Sequence, residues 1–455
     1  MADITIKRQI DERYRRYALY VIESRGIPNW YDSLTNVQRI LIDNCPSSFN
    51  KTLTVVGSAI AAGYHAGDAS LISTINKLAR PFNCAESIMI GDGFFGSPVS
   101  PSAASPRYTS VKISPKIKNI IDKYYHLNKK NDESLYDNLV VETPFGLASG
   151  VVGIAVGYKS TILPRKIEDI IDFISGKRKS VNPYFAGFNG TVSKHGDHKT
   201  WLLEGNIEID DKEREIKITS LPPLMKFESF LKKVNGILSG IDFDFTNNSS
   251  DVVEVFIKIS HKMDRDVWVD VKTQIEKATK IIFHESLVFV KDKTVIEYER
   301  LEDYLLDFKE YGEKIKLWNL EWLESKSNSE LNFLRAKLEY LKFMVAKKRK
   351  EEEINEFLSA YKTDKSIINR LDSIKLRNLS NEEIERTIVA IKEEEQNLKQ
   401  LKAGKKEQEK LVNSMAFELR GKKIKPAEQL FNDDEENGIE VFNLEEDEPV
   451  EESEV

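Results

Sequence analysis

A serine- and proline-rich stretch, Pro98-Val-Ser-Pro-Ser-Ala-Ala-Ser-Pro106, ends on Arg107 and Tyr108. A tyrosine phenol attacks a phosphodiester once its proton is removed or its oxyanion is stabilised. A neighbouring guanidinium can fork onto the phosphate as negative charge builds there. Arg39 and His65 lie in the same part of the chain and supply a second forked cation and an imidazole suited to holding phosphate. By residue type alone these positions fit better a surface loop with an anchoring tyrosine and a hydrogen-bonding structural histidine. Other chemistries find no support. The sequence lacks GxSxG, HExxH and a Gly-rich Lys-Ser/Thr phosphate loop, so ATP hydrolysis by this chain is not expected. Its two cysteines, Cys45 and Cys84, have neither CxxC nor Cys/His spacing, which argues against a zinc site or disulfide framework and fits a reducing cytoplasm.

The elements that must hold such a loop can be read from periodicity. At 455 residues more than one core is expected, and 40% apolar content is enough to fill two or three. From Asp3 to about Tyr125 the pattern is helical, with a small-residue helix near Val55 to Gly63. An amphipathic one over Ala69 to Arg80 aligns Leu71, Ile72, Ile75 and Leu78. The prolines after Pro98 end that regime and predict an exposed loop. Strands and turns follow between about 140 and 300: Gly153 to Gly157, Trp201 to Ile209, Glu215 to Ile218 and the alternating Val253 to Ile259. Phe227, Phe230, Leu231 and Val234 take helical spacing after Leu221-Pro-Pro223. From Leu301 to Leu411 Gly and Pro nearly vanish, and Leu331, Leu334, Leu338, Leu341 and Val345 repeat at 3-4 spacing. A second seam (Ile384, Ile388, Ile391, Leu398, Leu401) completes an antiparallel hairpin with a small globular tip.

The formal charge of −7 is uneven. Residues 431–455 hold 12 Asp and Glu and no Lys or Arg, which leaves 67 basic against 62 acidic side chains and a net of +5 on residues 1–430. A disordered acidic tail on a mildly basic body is expected. No stretch approaches the roughly 18 to 20 uncharged apolar residues of a membrane span, and the N-terminal segment is rich in charge.

Several separated motifs resemble, in order, those of the DNA-cleaving (gyrase A-like) subunits of type IIA DNA topoisomerases, the T4-like phage branch above all. Ile27-Pro-Asn-Trp-Tyr-Asp-Ser-Leu-Thr-Asn-Val-Gln-Arg39 is similar to IPxxxDGLKPxQR, and Tyr64-His-Ala-Gly-Asp68 to YHHGE. Gly93-Phe-Phe-Gly-Ser97 resembles GNFGS, and Ala104-Ser-Pro-Arg-Tyr108 matches ASPRY. Gly153-Ile-Ala-Val-Gly157 with Ile162-Leu-Pro164 matches GIAVGxxxxIPP, and the likeness continues through Leu221-Pro-Pro223, Asp307 to Leu323 and Ile368 to Ile384.

The resemblance implies a multidomain α+β protein: a helical winged-helix DNA-cleavage domain (1–140), an α/β tower (141–300), and a long antiparallel coiled coil with a globular C-gate tip (301–411). A linker (412–430) and the acidic tail (431–455) would follow. It implies Tyr108 as the nucleophile of a 5′-phosphotyrosyl bond, Arg107 as the cation beside the scissile phosphate, Arg39 and His65 as holders of the DNA backbone, and Ile154 as the wedge that bends DNA. It further implies a homodimer through the C-gate, double-stranded DNA as substrate, and a partner subunit that carries both Mg2+ and the ATPase. With no β-pinwheel after the coiled coil, relaxation of supercoils is expected. Departures from the family pattern are Tyr31, Ser33, Thr35, Asn36, Ala66 and Phe94. The alternative reading is a coiled-coil DNA-binding architectural protein in which the Arg-Tyr loop is inert.

Overall fold

The computed structural model describes residues 13–14, 16–18, 20–22, 26–64, 67–129, 136–346, 351–359, 365–374 and 380–424. His65, Ala66 and the acidic segment 431–455 lie outside the described residues.

The first core begins with three short helices, α1 (Asn36–Asp43), α2 (Thr52–Ala61) and α3 (Asp68–Ala79), packed on one another. The start of α1 is set by Thr35, whose N–H donates to Gln38 Oε1 at 2.9 Å. Leu71, Ile75 and Leu78 of α3 are fully buried, as their spacing predicts, while Ile72 is half-buried. A small antiparallel sheet lies beside them in the order β1-β3-β2, from β1 (Asn50–Lys51), β2 (Met89–Asp92) and β3 (Ser110–Ile113). Helix α4 (Pro115–Asp122) follows, with proline in its first turn, where no N–H is needed.

This core does not stop at residue 140. It continues through the ribbon β4 (Val151–Ala155) and β5 (Tyr158–Ile162), helix α5 (Ile167–Ile174) and on to Val181. The strand-rich region then divides. Residues Trp201 to Ile209, read from sequence as one strand, form two that belong to different sheets. β6 (Thr191–Lys194), β7 (Thr200–Glu204) and a later strand make one sheet; β8 (Asn206–Asp210) and β9 (Glu215–Ser220) belong to another. The break falls at Gly205, where a Cβ would come within 2.4 Å of the Ser220 carbonyl oxygen. The second sheet is completed by β10 (Phe243–Asn247) and β11 (Val255–Ile259) in the order β10-β11-β9-β8. Alternate residues of β9 and β11 (Ile216, Ile218, Val255, Ile257) are buried against α6 (Phe227–Ile237) and α7 (Arg265–Ala278), a core of its own.

After α7, β12 (Lys280–His284) returns to β7, and the hairpin β13 (Leu287–Lys291) and β14 (Thr294–Tyr298) returns to the first core, placing Phe289 and Tyr298 there. The expected boundary at 300 is therefore a change of element and not of core. Helix α8 (Leu301–Ala346) starts inside the first core with Tyr304, Phe308, Tyr311 and Ile315, then leaves it. The short helices α9 (Glu351–Ser359) and α10 (Lys365–Asp372) precede α11 (Asn381–Asn413), which runs back along α8. Contacts fix the antiparallel register. Gln408 meets Glu313, Lys405 meets Glu324, Ser327 meets Glu394 and Lys337 meets Glu383. Leu331, in the predicted seam, is buried; Phe333, Ala336 and Tyr340, on another face, pack against Leu358, Ile367 and Leu371 of the tip helices. The segment expected to be a linker contributes β15 (Lys422–Ile424), which pairs with β14 through Val295 and Ile424. Its sequence showed only scattered apolar residues, too few to announce an edge strand.

Candidate active site

Loop 93–109 connects β2 to β3, and its two ends are held together. Gly93 takes φ +105°, and a Cβ there would stand 3.3 Å from Thr109 Cγ2 and 3.5 Å from the Tyr108 carbonyl oxygen. The Ala104 N–H donates to the Phe94 carbonyl at 2.9 Å, and the Tyr108 N–H to that of Ser105 at 2.9 Å, so Arg107 and Tyr108 sit on a tight turn. Immediately after it Thr109 is buried. Its hydroxyl lies 2.7 Å from that of Thr52 at the start of α2, and its carbonyl accepts from the Thr52 N–H at 3.1 Å. At the loop's middle, the Ser97 N–H donates to the Ser100 carbonyl at 2.7 Å and the Ser100 N–H to Ser97 Oγ at 3.0 Å. That closed turn presents Val99 to the core of the β8–β11 sheet. The backbone beside Tyr108 is thus anchored at both ends while its ring is 73% exposed. Arg107 is also exposed, and among the described residues no hydrogen bond or ion pair occupies either side chain.

The other tyrosines of the first core contrast with this. Tyr298, Tyr304 and Tyr311 are buried, and burial pushes their phenols well above the usual range. A phenol held that way cannot meet a phosphodiester; Tyr108 can.

Arg39 is placed differently from Arg107. It is buried, its Nε and Nη2 reach the Asp32 carboxylate at 2.7 and 3.1 Å, and Nη2 also donates to the Leu34 carbonyl at 3.2 Å. Asp32 is fully buried and accepts in addition from the N–H groups of Leu34 and Leu139, both at 2.9 Å. The guanidinium therefore locks the turn that begins the Ile27–Arg39 motif; its Nη1 takes no part in these bonds. Asp32 was not singled out in the sequence, although its spacing of seven from Arg39 carries the pairing. The neighbouring departures are structural as well. Ser33 takes φ +58°, the left-handed region that favours the family's glycine, and its hydroxyl lies 2.8 Å from that of Tyr304. Tyr31 donates to Asp292. Phe94 is exposed at the start of the loop.

Ile154 sits on β4 and is 71% exposed, not a buried strand residue. Opposite it on β5 stands Lys159, also exposed. The ribbon is pressed onto the first core by its other face: a Cβ on Gly153 would fall 1.9 Å from the Gly26 carbonyl oxygen.

Among the described residues no three His, Cys, Asp or Glu side chains converge as metal ligands. Asp210 and Asp211, the acidic pair nearest a strand, are engaged in a turn. Asp210 accepts from the backbone of Lys212 and Glu213, and Asp211 from Trp268 and Lys272. No helix of the described residues is long and apolar enough to cross a membrane.

Comparison with known proteins gives a consistent set. The family model for the A subunits of DNA gyrase/topoisomerase IV matches residues 25–420. The DNA topoisomerase medium subunit of Enterobacteria phage T4 is 22% identical over 410 residues, covering 83% of this chain and 90% of that one. The DNA gyrase A protein of Escherichia coli (strain K12) is 29% identical over 182 residues, 37% of this chain but 21% of its own length. A solved structure of the DNA-binding, cleavage and re-ligation domain of Plasmodium falciparum topoisomerase II superposes with a TM-score of 0.73 at 22% identity. It covers 88% of this chain and 62% of that one, a likeness of fold.

Proposed function

The chain belongs to the gyrase A/topoisomerase IV family of DNA topoisomerase subunits, and from that premise we propose that it is the DNA-cleaving subunit of a type IIA topoisomerase, with Tyr108 as nucleophile. The observation that carries the reading is Tyr108 itself: a solvent-exposed phenol next to an exposed arginine, on a turn whose backbone is anchored through Thr52 and Thr109.

In the proposed reaction the Tyr108 phenol gives up its proton and its oxygen bonds to phosphorus. The phosphorus–O3′ bond breaks and the 3′ oxygen takes up a proton, leaving a 5′-phosphotyrosyl link and a free 3′-hydroxyl. Reversal reseals the strand. Arg107 forks onto the non-bridging oxygens as charge accumulates. Arg39 and His65 are assigned to the DNA backbone by family resemblance. For Arg39 that role is compatible with its Asp32 pairing only through Nη1. Ile154 is the wedge that unstacks a base step, which its exposure and the adjacent Lys159 support.

Each tyrosine cuts one strand, so a double-strand gate needs two copies; α8, α11 and the tip helices are assigned to the coiled coil and C-gate that join them. The α1–α3 helices with the β1-β3-β2 sheet are read as the winged-helix domain, and the β8–β11 sheet with α6 and α7 as part of the tower. The described residues do not fit a metal site, so no step is routed through a metal in this chain. Mg2+ and ATP are assigned to a partner subunit, and the outcome proposed is ATP-dependent strand passage that relaxes supercoils.

The test is covalent trapping. Chain, partner subunit, divalent cation and labelled supercoiled DNA are mixed and denatured, and label is sought on the protein. Label on the wild type and none on Tyr108→Phe is expected. Label on both would move the nucleophile elsewhere, and DNA binding with no label on either would favour an inert architectural role.

A further inference from the structure

The exposed face of the β4–β5 ribbon carries a second apolar side chain that the wedge role of Ile154 does not account for. Along β4, Val151 is buried, Val152 is 72% exposed, Gly153 is buried and Ile154 is 71% exposed. This period of two puts Val152 and Ile154 side by side on the same face. The face cannot turn inward, because the close approach of Gly153 to Gly26 leaves no room for the ribbon to rotate. Neither aliphatic side chain serves the core; Ile154 stands opposite Lys159, which has no acidic partner among the described residues, and Val152 stands opposite the buried Thr161. Two adjacent β-branched aliphatics flanked by an unpaired cation suit a ligand with apolar base edges between anionic backbones, which is a nucleic acid duplex.

The spacing adds a geometric argument. Same-face neighbours on a strand are about 6.6–6.8 Å apart, and stacked bases along one strand are about 3.4 Å apart. A ribbon lying along the groove therefore sets Val152 against the duplex two base steps from the step that Ile154 opens. Steps differ in how readily they unstack, with pyrimidine–purine steps the softest, so a second apolar contact at fixed spacing reads deformability there.

We propose that Val152 is a second DNA-contacting residue, placed two base steps from the Ile154 wedge, and that it determines part of the sequence preference for bending and cleavage. The inference rests on the reading of Ile154 as a wedge, and the test separates the two. Val152→Ser, Val152→Ile and Ile154→Ser are compared with wild type as full chains assembled with the partner subunit. Bending of an end-labelled duplex is measured by energy transfer, and cleavage sites are mapped by sequencing the trapped ends.

Val152→Ser should bind the bent duplex about tenfold more weakly, the equivalent of losing one buried valine contact. Its cleavage sites should lose base preference at one position two steps from the bend, and Val152→Ile should restore both. Thermal melting should not move, since the side chain is exposed. Wild-type bending and preferences in Val152→Ser, with bending lost in Ile154→Ser, would overturn the Val152 assignment and leave the wedge standing. Undiminished bending in both would overturn the wedge as well.

Discussion

Replacing Arg39 by methionine keeps the apolar stem and removes the guanidinium that neutralises Asp32. In the folded protein that carboxylate has no access to solvent and four donors: Nε and Nη2 of Arg39, and the N–H groups of Leu34 and Leu139. Removing one partner of a buried pair leaves an uncompensated charge and costs about 3–5 kcal/mol. The two surviving amides hold the figure toward the lower end, about 3 kcal/mol. If the first core melts as a block of about 200 residues, the midpoint should fall by roughly 6–12 °C. The assay is thermal and denaturant unfolding of Arg39→Met, Asp32→Asn and the double variant. The double should lose less than the sum of the singles by at least about 1 kcal/mol, because the second change removes the charge that the first one stranded. A loss under about 0.5 kcal/mol for Arg39→Met, or strict additivity, would refute the reasoning. The same variant tests the DNA role: a phosphate contact through Nη1 would lower the slope of log affinity against log salt by about 1. An unchanged slope would assign Arg39 wholly to the fold.

Lys291 lies with its Nζ 3.4 Å from the centre of the Trp30 ring, and burial lowers its pKa to about 8. Between that value and the ordinary 10.5 or so the unfolded chain binds more protons than the folded one, so stability should rise with pH through this window. After allowance for partial exposure the gain is on the order of 1 kcal/mol, and it should be missing in Lys291→Met when the two pH–stability profiles are subtracted. Thr52→Val strands the buried Thr109 hydroxyl and should cost about 1–2 kcal/mol. Because the bond lies one residue from Tyr108, the variant should slow covalent trapping while leaving DNA affinity near wild type in a gel-shift titration. Gly153→Ala would drive a methyl group against the Gly26 carbonyl oxygen and should displace the ribbon. Amide exchange over residues 151–162 should accelerate by more than tenfold, and unchanged protection there would contradict the close approach.

Where helical or strand periodicity was clear it placed the element within a few residues, as for α3, α6, α8 and β11, since each buries one side against a neighbour and that burial is what the pattern records; many of the short strands and helices between them carried no such pattern. The core boundaries were less legible. β13, β14 and β15 are short strands whose apolar residues read equally well as the end of one unit or the start of the next. Only long-range pairing assigns them: the Trp30 N–H donates to the Val290 carbonyl at 2.8 Å, Phe289, Ile296 and Tyr298 enter the first core, and Ile424 of β15 packs with Val288, Val290 and Val295 in a separate small cluster. The proline- and serine-rich loop marked Arg107 and Tyr108 as exposed, but by residue type they fitted an ordinary surface loop, and it was the ordered set of family motifs around them that singled the pair out. Arg39 looked like its equal in sequence, yet a cation seven residues from an aspartate in a turn is equally suited to closing that turn. Val152 carried no signal, because an exposed valine and a core valine look alike until the strand's inward face is known.

The Ile27–Arg39 motif also shows how one segment can serve both the fold and the proposed chemistry. Trp30 Nε1 donates to the Tyr298 hydroxyl at 2.9 Å, Tyr298 donates to Asp307 at 2.9 Å, and Asp307 accepts from the Arg420 N–H at 2.9 Å. Tyr304 donates to the Trp30 carbonyl at 2.9 Å, and its ring stacks on Phe289 at 4.2 Å. These bonds join the motif's turn, β14, the first turns of α8 and the segment that enters β15 into one buried joint. Buried polar chains of this kind hold only one arrangement well, because each unmade bond leaves a desolvated group. The root of α8 is therefore fixed to the helices and sheet that carry the Tyr108 loop. If α8 and α11 separate two copies of the chain during strand passage, bending must occur farther along the helices, beyond Ile315, where α8 leaves this core.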